Sequence, residues 1–371
     1  MTIEFPAAVL GKAGEPLTVE TVTLPSTPPS GEVLVRLEAS GVCHSDYHVA
    51  LGEWAAPMPM VLGHEGAGVI EAVGEGVRDL TVGDHVVLSW TPSCRRCKFC
   101  ISGRPVLCDL VNQMSGQHLS FDGTTRLTRS TGEEMFSFVA LGTFGQYVMA
   151  PESGAIRISN DAPFAQAALV GCAVTTGIGA VTNTAKLEPG STALVIGCGG
   201  VGLNIVQGAR LAGASQIIAV DRAPAKLEAA KNFGATATVD STDTDVLEVV
   251  NDLTGGTGVD YAFEAIGLAP TIELCYEAIA RGGTVVVAGQ VAEGVKISLD
   301  PFIMSDQEKK VIGSNYGSSR PPIDFPKIID LYLAGAVDLD SLVTDRIGLD
   351  QVNDAFAAMK RGEGIRSVIE Y

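Results

Sequence analysis

The pattern of apolar and polar positions divides the chain into stretches of different character. In the first third, short β-branched and apolar runs at 32–37, 67–73 and 85–88 are separated by turn residues, which predicts an irregular, mostly β domain. Further along, the apolar run 192–196 meets a glycine cluster and then a helical pattern to about Ala212. Strands at 216–220, 237–239, 259–264 and 284–288 are expected next, with helices around 225–233 and 271–280 between them. Strands alternating with helices at this spacing predict an α/β fold, a doubly wound parallel sheet of the Rossmann kind. The tail after about Ser314 carries two helical stretches, 324–333 and 349–359, and ends in a β-type segment, 367–371.

One segment, 162–185, contains no charged residue and has the length of a membrane span. Gly171, Gly177, Gly179, four threonines and Asn183 interrupt its apolar surface, so it reads as a buried helix joining two domains. Two domains also suit a chain of 371 residues. A catalytic domain is expected at 1–173 and 314–371, with a nucleotide domain at 174–313 and the chemistry in a cleft between them.

Charge narrows the partners. Acidic residues outnumber basic ones by 43 to 25, a net charge of −18, and such a surface repels nucleic acid. No basic segment followed by an apolar run opens the chain, so a cytoplasmic location is expected. Eight cysteines in that setting argue for metal or catalysis over disulfides.

Four of them form the run Cys94, Cys97, Cys100 and Cys108, spaced C-x2-C-x2-C-x7-C. Four thiolates this close can enclose one tetrahedral Zn²⁺ with no open position, which suits a structural ion. An iron–sulfur cluster is the chemical rival. Its bacterial run has a different spacing after the third cysteine and a proline after the fourth, where Asp109 stands here.

Gly197, Gly199, Gly200, Val201 and Gly202 satisfy G-x-G-x-x-G between an expected strand and an expected helix, the context a dinucleotide fingerprint requires. Glycines there let the backbone approach a pyrophosphate at a helix N-terminus. Asp221 ends the next expected strand. Its carboxylate can accept from ribose hydroxyls and would repel a 2′-phosphate, which favours NAD over NADP, although Arg222 beside it could receive such a phosphate.

A longer pattern, G-H-E-x2-G-x5-G-x2-V, begins at Gly63-His64-Glu65 and is met at every fixed position. Together with the four-cysteine run it resembles the zinc-containing alcohol dehydrogenases of the medium-chain dehydrogenase/reductase superfamily, over essentially the whole chain. The resemblance implies a GroES-like catalytic domain, two Zn²⁺ per subunit and NAD. It implies that Cys43, His64 and Cys172 bind the catalytic zinc, with Glu65 beside it and Asp46 orienting His64. It casts Ser45 and His48 as the proton relay, and His44, Lys226 and Arg366 as further cofactor contacts. Trp54, Trp90 and Phe138 fall at substrate-pocket positions. His85 and His118 match no motif and read as structural or surface residues.

The implied reaction is hydride transfer between a primary alcohol, aromatic or medium-chain, and NAD. A Lewis-acidic metal eases removal of the alcohol proton, which makes the carbon a better hydride donor. One branch of the family oxidises formaldehyde adducts of glutathione and uses an arginine soon after the fourth cysteine of the cluster. Residues 109–113 here contain none. A mycothiol-type thiol adduct, or an enzyme that retains its NAD and passes electrons to another acceptor, stays open. A non-enzymatic zinc-binding protein is disfavoured, since it would need neither the second ligand set nor a nucleotide fold. The β-type segments 295–299 and 310–313 are candidate edges for a homodimer or homotetramer.

Overall fold

The structure is a computed structural model describing residues 1–115 and 117–371. It divides into two compact units, Met1–Cys172 with Arg320–Tyr371, and Ala173–Ser319.

The first unit is built from two β layers. Thr2–Leu10, Thr18–Pro25, Leu127–Arg129, Glu134–Ser137 and Met60–Val61 close a small barrel. Phe5, Val9, Leu10, Leu24, Met60, Leu62 and Phe144 are buried together in its core. The second sheet is organised on the strand Glu32–Gly41, whose Val33, Leu34, Val35 and Leu37 are buried. This strand pairs antiparallel with Glu65–Val73, Tyr147–Pro151 and Arg366–Glu370. The last strand of the chain is thus hydrogen-bonded to one of the first, which brings the tail into this unit.

The second unit carries a six-stranded sheet in the order Ala237–Asp240, Gln216–Asp221, Thr192–Ile196, Val259–Glu264, Ile279–Val287 and Lys310–Gly313. Every pairing is parallel. This is the doubly wound order, with the topological switch beside Thr192–Ile196. Ala193–Ile196 are buried, as a central parallel strand covered on both faces requires. The helix Gly200–Leu211 follows directly after the glycine loop.

Phe164–Ala185 is one continuous helical run, long and apolar enough by length and composition to cross a membrane, yet 89% of its most apolar window is buried inside the protein. Two stretches, Val170–Val174 and Ala180–Ala185, are π-helical, and Cys172 lies in the first. Such wide turns redirect side chains and recur at functional sites.

Within the single chain, residues 295–299 form no strand. Val295 and Ile297 are exposed there. Lys310–Gly313 is a strand and ends the parallel sheet.

Candidate metal centres and active site

The backbone turn at Cys43 creates the first half of the main site. Cys43 is extended, at φ −120° and ψ 156°, and caps the helix His44–Leu51. Asp46, on the first turn of that helix, is fully buried and accepts the Cys43 N–H at 3.0 Å. Its other oxygen accepts the Gly63 N–H and bonds His64 Nδ1, both at 3.0 Å. One carboxylate therefore ties two separate loops together. With Nδ1 engaged, Nε2 of His64 is the nitrogen left to face a ligand. Gly63 has φ +90°, and a Cβ there would lie 2.5 Å from the Phe144 ring, so only glycine admits His64 at this approach.

Cys172 arrives from the π-helical turn. The ligand atoms of Cys43, His64, Glu65 and Cys172 all lie within 4.8 Å of one another. The Cys172 thiol donates to Cys43, which together with Arg366 and His64 holds the Cys43 thiol well below its ordinary value; Cys172 is pushed up in return. Glu65 is fully buried, and among the described residues neither carboxylate oxygen has a hydrogen-bond partner. Burial pushes its carboxyl up to about 7, against the pull of the Arg366 guanidinium. Arg366, also buried, places Nη2 at 3.3 Å from Glu65 Oε1 and donates from Nη1 to the Val42 carbonyl at 3.0 Å.

The residues fit a metal ion on two grounds. Two thiols, an imidazole and a carboxylate converge in a buried site, and these are the donor types that zinc takes. Two thiolates and a carboxylate would leave the pocket strongly negative, and a divalent cation with one guanidinium balances them.

Around this centre, Ser45 Oγ lies 3.8 Å from Cys43 Sγ. His48, one helical turn further, is half-buried, pairs through Nδ1 with Glu53, and stacks on Trp54 with ring centroids 5.0 Å apart. His44 is exposed. Phe138 is buried and meets His64 edge-on at 5.4 Å. Trp90 packs beside the core of Val33, Leu37, Val86 and Leu88. His85 packs on Phe164.

Cys94, Cys97, Cys100 and Cys108 form a second group, again with all sulfurs within 4.8 Å of one another. The Cys94–Cys100 and Cys97–Cys100 separations are 3.9 and 3.5 Å. A zinc tetrahedron with bonds of about 2.3 Å has sulfur edges of about 3.8 Å. Backbone N–H groups of Cys100 and Asp109 draw the Cys97 thiol down to about 6, a value at which it readily becomes a thiolate ligand.

In the second unit, Gly197 has φ +97° and a Cβ on Gly202 would sit 1.7 Å from the Gly197 carbonyl oxygen, so both glycines are needed to close the turn. Gly199 is different: nothing lies within 4 Å of the Cβ position, which leaves the helix N-terminus open to an approaching ligand. Asp221 accepts the Cys198 N–H at 2.8 Å and the Ala223 N–H at 3.0 Å. Its carboxylate is thereby fixed beside the glycine loop. Lys226 is half-buried on the helix Pro224–Phe233.

Three contacts were not legible from motifs: Arg366 on Glu65, Phe138 on His64, and His118, which is buried against Phe138. The resemblance singles out Arg366 and Phe138, but for other roles, and His118 not at all.

Comparison with known proteins agrees with this geometry. Residues 29–160 match the alcohol dehydrogenase GroES-like domain, and 200–334 match the zinc-binding dehydrogenase family. S-(hydroxymethyl)glutathione dehydrogenase of Paracoccus denitrificans is 40% identical, covering 98% of this chain and 99% of its own length. An alcohol dehydrogenase zinc-binding domain protein from Burkholderia ambifaria superimposes with a TM-score of 0.96 at 36% identity, covering 100% of this chain and 99% of its own. Benzyl alcohol dehydrogenase from Acinetobacter calcoaceticus superimposes at 0.94 with 31% identity, covering 99% of each chain. Zinc and a nicotinamide dinucleotide, NAD or NADP, are the cofactors these families and folds carry with them. The chain belongs to the zinc-binding alcohol dehydrogenases of the medium-chain dehydrogenase/reductase superfamily.

Proposed function

We propose that the chain oxidises a primary carbinol, a CH2–OH group, with NAD as hydride acceptor. The observation that carries this is the convergence of Cys43, His64 and Cys172 beside Glu65; the two thiols and the imidazole would hold a zinc ion with three protein ligands, the count that keeps a catalytic site open to substrate. Zinc there supplies Lewis-acid stabilisation of the oxygen that loses its proton, and NAD supplies the acceptor for the hydride. Asp46 fixes the tautomer and orientation of His64. Ser45, beside Cys43, receives the departing proton, and half-exposed His48 releases it to solvent. Arg366 offsets the charge of Glu65; its observed bonds go to Glu65 and to the Val42 carbonyl, so the pyrophosphate role implied by resemblance is a second use of the same guanidinium. The negative charge of Asp221 supports NAD over NADP.

Which molecule carries the carbinol separates two readings. The hydroxymethyl adduct of a small thiol is itself a primary carbinol, and the name of the Paracoccus denitrificans relative favours it over the free aromatic alcohol. The aromatic alcohol is the second reading, favoured by the Phe138 ring against His64 and by the benzyl alcohol dehydrogenase fold neighbour. Measuring kcat/KM for benzyl alcohol and for the hydroxymethyl adducts of glutathione and mycothiol decides between them. A higher value for either adduct supports the first reading, and a higher value for benzyl alcohol replaces it with the second. Lys310–Gly313, at the open sheet edge, is the surface for pairing with a second copy.

A further inference from the structure

Phe138 opens a turn that ought not to form unaided. Val139 has φ 46° and ψ 36°, and Ala140 has φ 62°. Two consecutive non-glycine residues thus sit in the left-handed region, and a β-branched valine is among the residues least suited to it. Two sets of contacts hold the turn. On one side, Leu141 N–H donates to the Phe138 carbonyl at 2.9 Å, and Thr143 N–H donates to the Gly63 carbonyl at 3.0 Å, beside His64. On the other, Val139 N–H donates to Nδ1 of His118 at 3.1 Å.

His118 is 7% exposed, and its ring stacks on Phe138 at 5.6 Å with planes 29° apart. Phe138 meets His64 at 5.4 Å with planes 83° apart. Three rings therefore form a column that ends on a metal ligand. Nδ1 accepts only in the neutral ring, and burial, which draws the imidazole down to about 4, keeps it neutral at physiological pH.

We propose that His118 is a positioning residue for the carbinol: by accepting the Val139 N–H and stacking on Phe138, it holds the Phe138 ring against His64 and so fixes one wall of the substrate slot. This deepens the proposed function and rests on Phe138 lining that slot. A carbinol large enough to touch the ring depends on His118, and a small one does not.

The test compares His118→Leu, which keeps bulk but removes the acceptor, with His118→Asn, which keeps an acceptor near the Nδ1 position. Each is made in the wild type and in Phe138→Ala, and kcat and KM are measured for ethanol and benzyl alcohol. His118→Leu is expected to raise KM for benzyl alcohol on the order of tenfold and to leave the ethanol parameters nearly unchanged. His118→Asn should recover most of the loss, and in the Phe138→Ala background His118→Leu should add nothing. Equal changes with both alcohols, or an effect that persists in Phe138→Ala, overturn the proposal. A crystal structure of His118→Leu gives a readout independent of turnover. Val139 leaving the left-handed region and Phe138 leaving His64 support the proposal, and an unmoved turn overturns it. If the wild type turns over neither alcohol, nor the hydroxymethyl adducts of glutathione and mycothiol, while Phe138 moves in the variant, His118 positions Phe138 as proposed and it is the functional reading that fails.

Discussion

Asp46 and His64 are joined by a 3.0 Å hydrogen bond between a fully buried carboxylate and the Nδ1 of a buried imidazole. The same carboxylate accepts the backbone N–H groups of Cys43 and Gly63. Two ligand loops, 18 residues apart in sequence at His64 and Asp46, are thus set by one side chain. Asp46→Asn keeps the shape but exchanges an acceptor for a donor and removes the charge. Zinc affinity at this site is expected to fall roughly 10–100-fold. Metal content after dialysis against graded chelator checks this, and unchanged retention would show that Asp46 does not organise the ligands.

The two cysteine sets should answer differently to substitution. Cys43→Ser is expected to abolish turnover while NADH binding and the thermal midpoint stay close to wild type. Cys97→Ser should instead cost stability on the order of several kcal/mol, because a closed four-thiolate site contributes folding energy. Turnover, NADH titration and thermal denaturation of both proteins separate these outcomes. Equal loss of folding in both would contradict the division into catalytic and structural sites.

Asp221 stands beside the glycine loop with its carboxylate fixed by two backbone N–H groups. Like-charge repulsion between it and a 2′-phosphate costs several kcal/mol. Asp221→Ser retains an acceptor and removes the charge, so the NAD-to-NADP ratio of kcat/KM should drop on the order of 100-fold. A ratio that does not move would place cofactor choice elsewhere.

His118 makes a signed contribution to pH stability. Its folded pKa is about 4 against an ordinary value of 6.5, lowered by burial. The unfolded chain therefore takes up a proton that the folded one refuses. The contribution is complete above pH 6.5 and is lost as pH falls toward 4, amounting to roughly 2–3 kcal/mol after allowance for solvent screening. Urea unfolding of the wild type and His118→Leu between these limits tests it: the wild type should lose more stability than the variant. Parallel pH profiles would be inconsistent with a buried neutral His118.

Much of the site could be read from sequence because its chemistry is local or strongly patterned. Cys43 and Asp46 share one turn of helix, the glycine loop lies between a strand and a helix, and the four cysteines fall within one short loop. The alternating apolar runs from Thr192 onward gave the parallel sheet because central strands buried on both faces have little latitude in composition. What could not be read depends on contacts distant in sequence. Arg366 meets Val42 across 324 residues, and no spacing rule links them. His118 matched no motif, and its burial against Phe138 comes from a turn whose left-handed backbone has no glycine to announce it. Residues 295–299 have strand-like composition but form no strand within the single chain, because composition does not say which edge a segment will meet.

The most direct test of the central claim is the initial rate of NADH formation from a primary carbinol and free NAD, measured before chelation, after it, and after zinc is restored. The account predicts a rate that chelation removes and zinc returns in the wild type, and that zinc does not return in Cys43→Ser. NADH formation insensitive to chelation, or restored equally in Cys43→Ser, would contradict it.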